Sequence, residues 1–135
     1  MNKIDETVIM LMAVKNFAKD IHYSCKGEAF YSKHLLCDRI AEQMDDYIDA
    51  IKETIILARV ELPKPSKEYL QEASYKVPDL TNDDKENFKR LRFLILNTLT
   101  QIERIDDLSV AEANVLGNIA ENLQNSAALL NRQVV

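Results

Sequence analysis

The chain of 135 residues has a formal net charge of -5 and contains only two glycines and three prolines. This length suits one domain, residues 1–135, and the scarcity of helix breakers favours an all-α fold. No apolar run reaches the length of a membrane span and no signal-peptide pattern opens the chain, so we expect a cytoplasmic protein without a membrane partner. Direct DNA binding is disfavoured, because it depends on clustered Lys and Arg, and neither end carries such a block.

Apolar residues at helical spacing predict the first two helices. The first runs over residues 3–24, and a longer second helix runs over residues 29–60, after a break at Gly27. All three prolines fall within residues 62–80, which predicts a connector that could hold a short helix around residues 67–73.

Two further helices are predicted after the connector. Thr81 and Asn82 are candidate caps for the third helix, which carries apolar residues over 88–102. The fourth helix opens with a capping box formed by Ser109 and Glu112. A connector of this length, unlike a tight turn, lets the second and third helices run parallel. The sequence therefore predicts a four-helix bundle with one long crossover.

The end of the first helix and the second helix carry both histidines of the chain and a series of acids. On a helical wheel His34, Asp38, Asp49 and Glu53 fall within about 100° of one another, on a stripe separate from the apolar face. Such a stripe is most often a solvated surface. However, the pairs His34–Asp38 and Asp49–Glu53 both have the i,i+4 spacing that presents two ligands to one metal. Imidazole and carboxylate ligands with open positions suit Fe(II) that must react with an oxidant.

The two pairs cannot bind the same ion within one chain. Asp38 and Asp49 are eleven residues apart, which is roughly 16 Å along a helix. A site using all four ligands requires a second, antiparallel copy of the helix, with the two-fold axis near Gln43 and Met44. Two equivalent sites about 22 Å apart would then lie at the interface. His22, at the end of the first helix, would add another ligand, so the site and the dimer are one prediction.

At these positions the chain resembles the Dps miniferritins, DNA-protecting proteins of the ferritin-like superfamily. Their ferroxidase motif reads H-x4-G-x2-F-x3-H-x3-D and, after ten residues, D-x3-E. Every position of that motif is matched, at His22, Gly27, Phe30, His34, Asp38, Asp49 and Glu53. The resemblance implies a ferritin-like four-helix bundle that builds hollow shells of twelve subunits from two-fold dimers. It also implies ferroxidase activity, in which Fe(II) is oxidised with hydrogen peroxide or oxygen and ferric mineral is stored, protecting against oxidative damage.

The same resemblance implies a role for each matched acid and histidine. His22, His34 and Asp38 would form one half of the catalytic iron site. Asp49 and Glu53 of a second copy would form the other half, with Glu53 as the strongest single iron ligand of a mono-iron or di-iron site.

The chain also departs from the family pattern. Miniferritins commonly carry Trp directly after the first His, thought to handle electrons or radicals, whereas this chain has Tyr23 there and no Trp. The basic tail with which some members bind DNA is absent. The nearest candidates for acids lining a three-fold pore are Asp106, Asp107 and Glu112, and a role at a helix start explains them equally well.

Two alternatives stay open. His22 with Cys25, and His34 with Cys37, form two similar pairs that could bind zinc. However, Cys37 falls on the apolar side of the wheel and is expected to be a buried thiol, and Cys25 a plain thiol in the turn. The chain could also be a ferritin-like bundle without ferroxidase activity, acting as a structural or interaction protein.

Overall fold

The computed structural model describes residues 1–60 and 64–135, and these residues form helices and no strand. The predicted all-α class is therefore confirmed. The described residues contain five α-helices: α1 (Lys3–Ser24), α2 (Phe30–Ile51), α3 (Ser66–Lys76), α4 (Asp84–Glu103) and α5 (Val110–Val134). Within this described part, no helix is both long enough and apolar enough to span a bilayer.

The second helix differs from the prediction at its C-terminal end. Regular α-helix ends at Ile51, and a π-helical turn follows over Lys52–Ile56. Its hydrogen bond runs from the backbone N–H of Leu57 to the carbonyl of Lys52, at 2.9 Å. One extra residue in this turn rotates everything after it relative to a regular helix, so the wheel positions predicted beyond Ile51 hold only approximately.

Local hydrogen bonds explain where the later helices begin. The capping box predicted for α5 is confirmed: the Ser109 side chain accepts from the backbone of Glu112, whose carboxylate accepts from the backbone of Ser109. The prediction for α4 was wrong by one or two residues, because its N-cap is Asp83 and not Thr81 or Asn82. The Thr81 hydroxyl instead accepts a hydrogen bond from the backbone of Asp83, at 3.1 Å.

Contacts at the helix ends define the directions of α1, α2 and α4. Lys3 Nζ donates to the carbonyl of Arg104 at 3.0 Å, which joins the start of α1 to the end of α4. At the opposite end the backbone of Lys26 donates to Asp84 at 3.1 Å, so α1 and α4 are antiparallel. Lys33 near the start of α2 also contacts Asp84, at 3.0 Å. The starts of α2 and α4 thus lie together and these two helices run parallel, as the long connector predicts.

The segment after the π turn is anchored to the start of α5. Arg59 donates two hydrogen bonds to the Glu112 carboxylate, at 2.8 and 3.1 Å. This guanidinium, together with the backbone N–H of Ser109, lowers the pKa of Glu112 to about 2. Glu112 therefore stabilises a helix start and joins two segments, which is the structural role considered for it in the sequence. Asp106 and Asp107 are exposed in the loop before α5.

The core lies where the apolar periodicity predicts it. Apolar residues on the predicted faces of the four long helices are buried, among them Phe17 of α1, Met44 of α2, Leu91 of α4 and Leu116 of α5. The connector helix α3, predicted near residues 67–73, packs against α1. Its Tyr69 is fully buried and donates a hydrogen bond of 2.7 Å to the buried Asp5. Burial, together with this contact, raises the pKa of Tyr69 to about 12.

Candidate metal centre

The turn between α1 and α2 brings the first three site residues together. His22 lies in the last turn of α1, while His34 and Asp38 lie one turn apart near the start of α2. Gly27 has φ +76°, in the left-handed region that glycine adopts without strain. This conformation reverses the chain, so the end of α1 and the start of α2 lie side by side.

The two histidines are held by a reciprocal pair of hydrogen bonds. His22 Nδ1 lies 2.8 Å from the carbonyl oxygen of His34, and His34 Nδ1 lies 2.8 Å from the carbonyl oxygen of His22. The carbonyl of His22 is in the last turn of α1, where carbonyl groups lack a helical partner. The imidazole of His34 satisfies it. The two rings stack with their centroids 3.7 Å apart and an interplanar angle of 17°.

These hydrogen bonds determine which nitrogen of each ring can bind a metal. A carbonyl oxygen only accepts, so both Nδ1 atoms must carry the hydrogen and donate it. In a neutral imidazole, Nε2 is then unprotonated and has its lone pair free. An Nδ1–H held by a backbone carbonyl is the usual outer-shell support of a metal-binding histidine, because it fixes both tautomer and ring orientation. Nε2 is therefore the nitrogen through which each of these histidines could bind a metal.

Asp38 lies beside the free nitrogen of His22. Its Oδ1 atom is 3.9 Å from His22 Nε2, which is too long for a hydrogen bond. A metal about 2.0–2.2 Å from each ligand atom would fit between them. The same Oδ1 accepts a hydrogen bond from Lys19 Nζ at 2.9 Å. This contact with Lys19 lowers the pKa of Asp38 and raises that of Lys19, so the carboxylate is ionised and paired with an ammonium.

Aromatic rings border this cluster. Phe30, the aromatic position of the motif, stacks on His34 with centroids 5.2 Å apart. Tyr23 contacts His22 edge-on at 4.8 Å, and its side chain is 77% exposed. Lys19 Nζ lies 6.0 Å from the centroid of the Tyr23 ring. Tyr23, at the position where miniferritins commonly carry Trp, therefore contacts one candidate ligand directly.

Asp49 and Glu53 lie farther along the same helix, in a different environment. Asp49 is in the last turns of α2 and Glu53 is in the π turn, and both are exposed. Neither carboxylate makes a hydrogen bond or ion pair with another residue of the described ranges 1–60 and 64–135. The structure thus places His22, His34 and Asp38 near one another but leaves Asp49 and Glu53 apart from them, as the helical spacing requires.

Within those ranges of this single chain, no three side chains of His, Cys, Asp and Glu converge as a complete metal-binding group. Two contacts of the candidate ligands in the described part keep them from converging. The imidazole of His34 is stacked flat on that of His22, and the carboxylate of Asp38 is paired with Lys19.

The cysteines lie in surroundings that disfavour zinc binding. Cys37 is fully buried, and burial raises its pKa to about 12. Cys25 is 5% exposed, burial raises its pKa as well, and its Sγ lies 3.8 Å from the carbonyl oxygen of His22. Zinc binds the thiolate form of cysteine, and burial opposes the formation of that charge at both residues. Cys37 is buried as the wheel predicts.

Two features of this cluster are missing from the sequence-based prediction. Lys19 lies three residues before His22, on the neighbouring turn of α1, and its contact with Asp38 requires knowing how α1 and α2 pack. In the sequence, this contact could have been suspected from a Lys one turn before His22. The reciprocal histidine–carbonyl bonds have no signal in the sequence, because every residue has a carbonyl.

No family model and no curated protein matches this chain.

Proposed function

We propose that this chain is a Dps-type miniferritin with a ferritin-like bundle, which oxidises Fe(II) at sites shared between two copies of the chain. His22, His34 and Asp38 of one copy and Asp49 and Glu53 of another would bind the iron. The ferric product would be stored as mineral inside a shell, for which the family resemblance implies twelve subunits. Iron is here a substrate and hydrogen peroxide or oxygen the oxidant.

The observation that carries the proposal is the preparation of the two histidines. A pair of imidazoles with both Nδ1 atoms bound to backbone carbonyls, and a carboxylate oxygen 3.9 Å from one Nε2 atom, is a partial ligand set. A purely structural role for these histidines gives no reason for a carboxylate to lie 3.9 Å from the Nε2 atom of His22, beyond hydrogen-bonding distance. The motif spacing and this geometry both support a metal site at the same residues.

The chemistry of the donor set suits iron oxidation. Each Fe(II) gives up one electron, and two electrons reduce one hydrogen peroxide molecule to two hydroxide ions. Neutral imidazoles bind Fe(II), while carboxylates favour the product because Fe(III) carries one more positive charge. A shared set of two histidines and three acids would leave positions open for the oxidant.

The exposed acids of α2 also support the proposal. Glu42, Asp46 and Asp49 give the exposed side of this helix a negative character, and the whole chain carries a charge of -5. A surface of this sign raises the local concentration of cations. Two copies of the helix would repel each other along this surface, and the cations bound at the shared sites would reduce that repulsion.

Stopped-flow measurement of Fe(II) oxidation tests this function. With peroxide as oxidant, the wild type should oxidise Fe(II) at least about tenfold faster than a His34→Ala/Asp38→Ala variant, since both changes remove ligands. Asp45→Ala is the matched control, because Asp45 is an exposed acid of the same helix that is paired with Lys15 outside the proposed site. Equal rates for the wild type and the double variant would reject the function and favour a bundle without ferroxidase activity.

A further inference from the structure

We infer that the ammonium group of Lys19 occupies the place of a cation in the metal-free half-site and must leave Asp38 before a metal ion can bind. Lys19 would thereby weaken metal binding and set the affinity of the site. This inference rests on the proposed function, since it concerns the same half-site.

The first observation is that Lys19 and the metal would compete for one atom. The Oδ1 atom of Asp38 accepts the hydrogen bond from Lys19 Nζ at 2.9 Å, and it is also the oxygen nearest to His22 Nε2, at 3.9 Å. A metal bound between His22 Nε2 and Asp38 Oδ1 would place its charge beside that of the ammonium. A metal ion and an ammonium group on the same oxygen repel each other strongly in a partly desolvated site. The metal and Lys19 therefore cannot both remain on Oδ1.

The second observation is that Lys19 is able to move away. Its side chain is 34% exposed, against 31% for Asp38, so water reaches both groups. A lysine side chain has a flexible four-carbon stem, and the exposed ring of Tyr23 lies 6.0 Å from Nζ. A displaced ammonium can therefore approach the face of this ring, where cations are stabilised, or enter solvent. Its departure breaks one charge-assisted hydrogen bond and leaves no buried charge unpaired.

The third observation is a neighbouring ion pair of the same kind outside the site. Lys15, one turn before Lys19 on α1, forms an ion pair of 2.8 Å with Asp45 of α2. The lysine of this pair is 35% exposed, nearly the same as Lys19. Asp45 is not among the candidate ligands. The chain thus offers two lysine–aspartate bridges between the same helices, of which only one blocks a candidate ligand.

Equilibrium binding of Co(II), a divalent ion that dioxygen oxidises far less readily than Fe(II), tests the inference without relying on activity. We expect Lys19→Met to bind Co(II) about tenfold more tightly than the wild type, since it removes one charge-assisted competitor for Asp38. Lys15→Met should bind like the wild type, and Lys19→Arg, which keeps the charge, should bind no more tightly than the wild type. Circular dichroism of each metal-free variant verifies that it is folded.

The outcomes separate this inference from the function on which it rests. If the wild type binds Co(II) through Asp38, but Lys19→Met binds equally or more weakly, then Lys19 positions Asp38 and the inference is wrong while the site stands. A Lys15→Met variant that tightens as much as Lys19→Met would also overturn it, because the effect would then be one of overall charge. Lack of binding by both the wild type and Lys19→Met would reject the inference together with the site.

Discussion

The two halves of the proposed site lie near the two ends of α2, and their surroundings differ. At the N-terminal end His22 and His34 are tied to each other's backbone, and Asp38 is paired with Lys19. At the C-terminal end Asp49 and Glu53 are exposed and have no hydrogen-bonding partner among the described residues. At the N-terminal end the candidate ligands themselves join α2 to α1. At the C-terminal end the chain is joined to α5 by a separate ion pair, Arg59 with Glu112.

This difference follows from the chemistry of the ligands. An imidazole binds metal through a lone pair on one of two nitrogens, so its tautomer has to be fixed beforehand by a hydrogen bond. A carboxylate can bind through either oxygen and is stable in water without a partner. The chain therefore has to organise the histidine half itself, while the acidic half can remain exposed until a cation is bound.

The largest effect on stability is expected at the anchor of the second end. Glu112→Gln should destabilise the protein by about 2 kcal/mol near neutral pH, because a hydrogen-bonded charge pair is lost. The pKa of Glu112 is lowered from 4.5 to about 2 in the folded chain. Its contribution is therefore fully present above about pH 4.5 and is lost as the pH falls towards 2.

Urea unfolding at a series of pH values measures this contribution. The stability difference between the wild type and Glu112→Gln should shrink as the pH falls from about 4.5 to about 2. Glu121→Gln, a change at an exposed acid of the same helix, serves as control and should have a smaller effect. A difference that stays constant over this range would contradict the ion-pair role of Glu112.

A smaller effect is expected at the histidine half. In metal-free protein, His34→Ala should lower the free energy of unfolding by about 1 kcal/mol, because the carbonyl of His22 loses the imidazole donor and keeps only the weak contact with the Cys25 thiol. The double change Asp49→Ala/Glu53→Ala removes no such contact and should stay within about 0.5 kcal/mol of the wild type. Chemical unfolding in the presence of a chelator compares the three proteins. If the acidic double variant loses more stability than His34→Ala, the contrast between the two halves is wrong.

Features that depend on local spacing and local hydrogen bonds can be predicted from the sequence. Helical spacing alone separates Asp38 from Asp49, since that distance depends only on the rise per residue. The bounds of α1 and the capping box of α5 are also predicted, because local periodicity and local hydrogen bonds determine them. The π turn at Lys52–Ile56 is not predicted. The residues that form it are of the kinds found in a regular α-helix, so the sequence does not distinguish the two hydrogen-bonding patterns.

Contacts between helices account for the rest of what the sequence misses. Lys19 and Asp38 are nineteen residues apart, and they meet only because α1 packs against α2. The bond from His34 to the carbonyl of His22 likewise depends on the turn at Gly27. Residue type and spacing therefore identify the candidate ligands, whereas their protonation and their competing partners depend on tertiary packing.

The central claim is that one site takes ligands from two chains, and a complementation measurement tests it most directly. Asp38→Ala and Asp49→Ala should each abolish tight Co(II) binding when assembled alone. Mixed in equal amounts under reassembling conditions, half of the dimers would contain both variants, and each mixed dimer would have one intact site. Co(II) binding should then recover to about a quarter of the wild-type number of sites. No recovery, in mixtures shown by mass spectrometry to contain both variants in one dimer, would contradict the shared site.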